Sequence, residues 1–150
     1  MKKTIVLISC ASQKLKHKAE AQDLYISQIF RASLAYAKSL NPDKIFILSA
    51  KYHLLKLDNV IEHYNTTLSK IPENKRKDGL IVLNSDQKTE WGIHVLKQLS
   101  EHTNLSNDEF IFLAGQEYIK PLKNSIENFK NPLEGLKPGQ RLKHLKNCLI

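Results

Sequence analysis

Residues 4–49 read TIVLISCASQKLKHKAEAQDLYISQIFRASLAYAKSLNPDKIFILS, and the two ends of this stretch decide the fold. Thr4–Ser9 (TIVLIS) and Lys44–Ser49 (KIFILS) are short, continuous apolar runs rich in β-branched residues. Neither alternates between polar and apolar, so each reads as a strand buried on both faces, as in a parallel sheet. Between them, residues 21–40 place Ile26, Ile29, Phe30, Ser33, Leu34 and Ala37 at helical spacing and predict one amphipathic helix. Asn41-Pro42-Asp43 ends it, because proline cannot continue a helix. Strand, helix and strand within some forty residues make a βαβ unit with a right-handed crossover.

Working outward, residues 109–114 (EFIFLA) form a third run of the same kind. Asn84 and Gln87 have the spacing of a capping box, opening a helix that turns Trp91, Val95, Leu96 and Leu99 inward. Ile119, Leu122, Ile126 and Phe129 predict a further helix after the third strand. Residues 80–83 (LIVL) fit either a fourth strand or an apolar turn. Pro132, Gly135, Pro138 and Gly139 break the chain before a basic end whose Leu142, Leu145 and Leu149 can pack on the body. The expected fold is one three-layer α/β domain over residues 1–150, Rossmann-like, with a short, mostly parallel sheet.

Composition narrows the function classes. Hydrophobic residues make up 41% and charged residues 25% of the 150, which is globular and argues against disorder. No run approaches the ~18 apolar residues of a membrane span, and no secretory signal opens the chain, so a cytoplasmic protein is expected. Cys10 and Cys148 lie near opposite ends, outside any zinc-ligand spacing, and neither a dinucleotide nor a P-loop glycine pattern occurs, so no metal and no cofactor is expected. Cys148 reads as a bystander. The net charge of +8 favours anionic partners. Arg31, Arg76 and Arg141 are the arginines among 23 basic residues, fewer than a base-reading surface uses.

In a parallel sheet, ligands bind beyond the carboxyl ends of the strands. The first strand runs into Ser9, Cys10, Ser12 and Lys14, a loop suited to an anion. The second runs into Ser49, Lys51, Tyr52 and His53, groups capable of acid–base work. The third runs into Gly115, Gln116 and Tyr118, where Gly115 would permit a sharp turn and the next helix would present its positive end. Residues 59–68, with Glu62, His63 and Tyr64, read as a lid. Lys51, Tyr52 and Lys14 are the candidate catalytic residues. Ser9, Cys10, Ser12, Ser49, Tyr64, Gly115, Gln116, Tyr118 and Arg141 are the candidate ligand-binding residues. Glu62 is the one carboxylate that can be placed near them. His17, His94, His102 and His144 read as surface residues.

The blocks ISCASQK, IFILSAKYHLL and LAGQEY, a Glu-x-Tyr at Glu62 and Tyr64, and a terminal GQR resemble a family of small bacterial, archaeal and phage proteins of unknown function. More remotely the SAKY-x-LL block is similar to the peroxide-stress YaaA family, which is associated with DNA binding. Related folds resemble the base-handling domains of uracil-DNA-glycosylase-like and tRNA deazaguanine-modifying proteins. The resemblance carries over to Cys10, Lys14, Leu24, Tyr25, Phe30, Ser49, Lys51, Tyr52, Tyr64, Gly115, Tyr118 and Arg141. His53 stands where the family usually has glycine. The partner this implies is a nucleobase, a nucleotide or a nucleic-acid end, with a non-catalytic DNA- or RNA-binding surface as the alternative.

Overall fold

The computed structural model describes residues 2–148; Leu149 and the side chain of Cys148 lie outside the described residues. The three apolar runs are the middle of a five-stranded sheet. β1 (Thr4–Ser9) lies at its centre and pairs in parallel with β3 (Lys44–Ser49) on one side and with β8 (Glu109–Leu113) on the other. Ile5, Val6, Leu7 and Ile8 are all buried, as a non-alternating central strand requires.

The chain between these strands departs from the simple pattern in four places. The single helix expected over residues 21–40 is two. After β2 (Ala19–Glu20), α1 (Ala21–Leu24) makes one turn and Tyr25 is extended. Ser27 then starts α2 (Gln28–Ser39), its side chain accepting from the Phe30 amide. Ile26 is consequently exposed, while Phe30, Ser33, Leu34 and Ala37 face the core. The physical reason is the serine: its side-chain oxygen satisfies an orphan amide only if the helix begins there.

The second departure follows β3. β4 (His53–Lys56) returns antiparallel to it through a tight turn that pairs Ser49 with His53. Three-residue hairpin turns need a left-handed residue at their end, and His53 takes it at φ 66. The sequence places histidine where glycine would be unstrained.

β5 (Val60–Ile61) pairs with β2, and β6 (Thr66–Thr67) pairs in parallel with β7 (Ile81–Val82). The apolar run at 80–83 therefore stays outside the main sheet and pins down the base of a loop that carries a 3-10 turn at Glu73–Lys75. α3 (Ser85–His102) opens with the expected capping box, both reciprocal bonds present, and buries Trp91, Val95 and Leu99; Leu96 is half-buried.

Last, α4 (Gln116–Lys123) is shorter than expected. Ile126 is buried beyond its end, and Phe129 belongs to β9 (Phe129–Lys130), a parallel edge strand on β8. α5 (Pro138–Cys148) packs on α2 through buried Leu145.

The sheet order is β4-β3-β1-β8-β9. From β1 the chain crosses by α2 to β3 on one side; it later crosses by α3 to β8 on the other. Right-handed crossovers in opposite directions put α2 with α5 on one face and α3 with α4 on the other. The loops after β1 and β8 thus diverge to opposite faces, and a crevice opens where they part. No helix among the described residues is long and apolar enough to cross a membrane.

Candidate functional site

The crevice holds a cavity of about 470 Å³. Its floor comes from the loop after β1, with Cys10, Ser12 and Lys14, and from Tyr118 of α4. Its wall is Thr66, Thr67 and Ser69 beside the β6–β7 pair; its rim is Lys75, Lys77 and Asp78. A smaller cavity of about 280 Å³ shares Cys10, Ser69 and Tyr118 with it and adds Ser9, Gly115, Gln116, Glu117 and Arg141. Cys10, Ser69 and Tyr118 therefore border both spaces. The Cys10 amide donates to the Leu48 carbonyl (2.9 Å), fixing it at the end of β1.

Polar groups beneath the floor form two neighbouring hydrogen-bonded clusters. The Tyr25 and Tyr64 hydroxyls lie 2.6 Å apart, and Ser49 Oγ donates to the Tyr64 oxygen (2.8 Å). The Tyr52 amide donates to Ser49 Oγ, and the Trp91 indole donates to the Ser49 carbonyl. Cys10 Sγ lies 3.3 Å from the Tyr118 hydroxyl, which accepts from the Leu68 amide and lies 3.4 Å from Thr67 Oγ1. Burial first, and the nearby Cys10 second, push all three phenols of Tyr25, Tyr64 and Tyr118 upward, so they remain protonated donors at neutral pH.

Lys14 is the charged member. Its ammonium sits 4.3 Å from the centroid of the Tyr64 ring and, among the described residues, hydrogen-bonds only to the Ser12 carbonyl, at 3.5 Å. Desolvation lowers its pKa, with the Cys10 charge opposing that shift. Among the described residues no carboxylate pairs with it.

Most of the residues singled out in the sequence meet here. Cys10, Ser12, Lys14 and Tyr118 line the larger cavity; Ser9, Gly115, Gln116 and Arg141 line the smaller one. Ser49 and Tyr64 are buried in the cluster below. Lys51 and Tyr52 lie in the β3–β4 turn and line neither cavity. Lys51 is exposed, its ammonium over the Tyr52 ring at 5.3 Å, and Tyr52 packs edge-on to Tyr64. Gly115 caps α4 with φ −75, so no special turn depends on it, and a side chain there would meet Arg141 Nη1 at an ordinary 3.8 Å.

Two expectations need correction. Glu62 is exposed and pairs with Lys18 at 3.4 Å, away from both cavities. Residues 59–68 are no lid: Tyr64 and Leu68 are buried, and the strand pairs at 60–61 and 66–67 hold the segment down. The carboxylate the sequence reading overlooked is Glu117, in the LAGQEY block. It accepts from Lys88 at 2.7 Å, with Lys120 and Lys70 at 3.6 and 3.9 Å, and the Lys88 hydrogen bond holds its pKa below the usual value. The Thr66–Ser69 wall and the Lys75–Asp78 rim were also overlooked; the polar NTT stretch at 65–67 and the KRKD run at 75–78 were their only signals.

No curated protein and no solved structure matches the chain. Over residues 5–147 it matches a family of unknown function, DUF6884, and on that coverage the chain belongs to this family.

Proposed function

We propose that the strand-end cavity binds a small anionic ligand of nucleotide or nucleobase type. The observation that supports this best is Lys14. A half-buried ammonium without a carboxylate partner is unfavourable in isolation, and an anion in the cavity relieves that penalty. Lys75 and Lys77 at the rim add to the attraction. Tyr118 offers a ring edge and a hydroxyl, and Ser12 and Thr67 offer hydroxyls for a polar ligand edge. Arg141, Gln116 and Ser9 extend the same chemistry into the smaller cavity, large enough for a phosphate-sized group. Lys51 and Tyr52, in the turn after β3, line neither cavity and make no contact with a ligand held there.

The test is native mass spectrometry and thermal shift of fresh protein against a panel of nucleotides and nucleobases. A ligand from the panel should bind, and Lys14→Ala should weaken it more than tenfold, about 1.4 kcal/mol. No binding anywhere in the panel refutes the reading.

A second reading is a nucleic-acid-binding surface. It is favoured by the exposed Lys143 and Lys146 of α5 together with the net charge of +8. Salt separates the two. Phosphate-neutralising binding falls linearly in log salt with a slope set by the number of contacts, whereas an enclosed small-ligand site responds weakly.

A further inference from the structure

Ser33 sits on the core face of α2 and is only 3% exposed, yet its hydroxyl makes no hydrogen bond among the described residues. A hydroxyl taken out of water without a partner costs free energy, so its surroundings decide what it is for. Ser33 lines a third cavity, of about 50 Å³, which adjoins the smaller one: Ser9, Cys10, Gly115 and Arg141 border both. Ile29, Phe30, Leu113 and Leu133 supply the apolar part of its wall, and no carboxylate lines it among the described residues. One water-sized group needs about 10–15 Å³ of such volume, so the chamber has room for a group of a few heavy atoms.

The polar groups around this chamber are donors. Arg141 is fixed by its Nε, which donates to the Leu136 carbonyl at 2.8 Å, and its Nη1 stands beside Gly115. Among the described residues no carboxylate pairs with the guanidinium. The Ser9 hydroxyl, like that of Ser33, has no hydrogen-bond partner among them. Gly115 has no side chain with which to cap the eight-residue α4, which leaves the amides of Gln116 and Glu117 without helical partners at the same place. Glu117 borders the smaller cavity, but its carboxylate is engaged by Lys88 at 2.7 Å. Water satisfies hydroxyls but leaves the guanidinium charge uncompensated; a phosphate satisfies both. Donors drawn from β1, α2, α4 and α5 also suit the non-coplanar oxygens of a tetrahedral group better than a planar carboxylate.

We infer that the chamber at Ser9, Ser33 and Arg141 is a phosphate subsite, so that the ligand of the strand-end site is a phosphate monoester. The inference rests on the anionic ligand proposed above and narrows its class. Cys10, Ser69 and Tyr118 border both the smaller and the larger cavity, so the body of the ester extends from the subsite toward Lys14.

The probe is inorganic phosphate, which carries no base, titrated at constant ionic strength set with chloride. Amide chemical shifts of the labelled protein should move at Ser33, Gly115 and Gln116, and Tm should rise with phosphate concentration. Arg141→Gln should weaken phosphate binding at least about tenfold. Ser33→Ala should weaken it severalfold while leaving the urea midpoint of the phosphate-free protein unchanged or higher, because no hydrogen bond is lost. Circular dichroism establishes that each variant is folded. Phosphate that shifts none of these three amides overturns the subsite. So does a folded Arg141→Gln that binds phosphate like the parent, or a Ser33→Ala that is less stable yet binds it unchanged. Phosphate bound here with no nucleotide of the panel bound refutes the nucleotide ligand and leaves the subsite standing. Nucleotides bound no tighter than their nucleosides, with no response to phosphate, do the reverse.

Discussion

Replacing Gly92 by alanine should destabilise the protein, although alanine is the better helix former. Gly92 lies in the middle of α3, where it is buried against α4. A Cβ placed on it would stand 2.8 Å from Pro121 Cβ and 2.9 Å from the Pro121 carbonyl oxygen. Both separations are too short, and one involves backbone, so α4 must move away. Overpacking of this kind costs about 1–3 kcal/mol, and backbone involvement puts it in the upper part of that range. The gain in helix propensity returns about 1 kcal/mol. The net loss is about 1–2 kcal/mol, which lowers Tm by roughly 2–8 °C for a domain of this size. Urea denaturation followed by circular dichroism measures it, with Ile93→Ala at the exposed neighbouring position as the control, expected within about 0.5 kcal/mol of the parent. Because α4 carries Gln116, Glu117 and Tyr118, the same change should weaken ligand binding. A Gly92→Ala protein as stable as the parent, or more so, would show that the α3–α4 contact is looser than described and that Tyr118 is not held by it.

His53→Gly should raise stability by about 0.5–1 kcal/mol in urea denaturation, because it removes a left-handed strain of about 1–2 kcal/mol and adds glycine's smaller entropic penalty; a loss of stability would mean that its ring contact with His94 at 4.8 Å outweighs the strain. Burial, and then the His94 charge, lower the His53 pKa in the folded protein. The unfolded chain therefore binds more protons below about pH 6.5, and stability should fall as pH drops from 6.5 through the folded value, with no contribution above it. Comparing urea midpoints between pH 8 and 5 in the parent and in His53→Gln checks this; a slope in that window unchanged by the substitution would contradict it.

The central sheet was legible because continuous apolar runs permit little else: Ile5–Ile8 can only be buried on both faces. The capping box at Asn84 and Gln87 was legible because its chemistry is local. The break before Ser27 was not, since Ile26 falls at helical spacing with Ile29 and Phe30 and reads as part of the apolar stripe until tertiary packing exposes it. Phe129 misled for the same reason: its spacing from Ile126 suits a helix, but pairing with β8 overrides a weak local preference. At the site, the residues flanking β1 and β8 were placed by a topological rule that fixes where strand ends meet. The contributions of Thr66–Ser69 and Lys75–Asp78 depend on a two-residue pairing of β6 with β7, which leaves almost no trace in a sequence. Lys51 illustrates the converse. It follows a central strand directly, yet the immediate antiparallel return to β4 turns it outward.

The measurement that tests the account most directly is an amide chemical-shift titration of the labelled protein with the best ligand of the nucleotide panel. The account predicts perturbations concentrated at residues 10–14, 65–69 and 115–118, where the walls of the two cavities meet, and their disappearance in Lys14→Ala. Perturbations gathered instead on the exposed face of α5 around Lys143 and Lys146, or on the turn at Lys51, would contradict it.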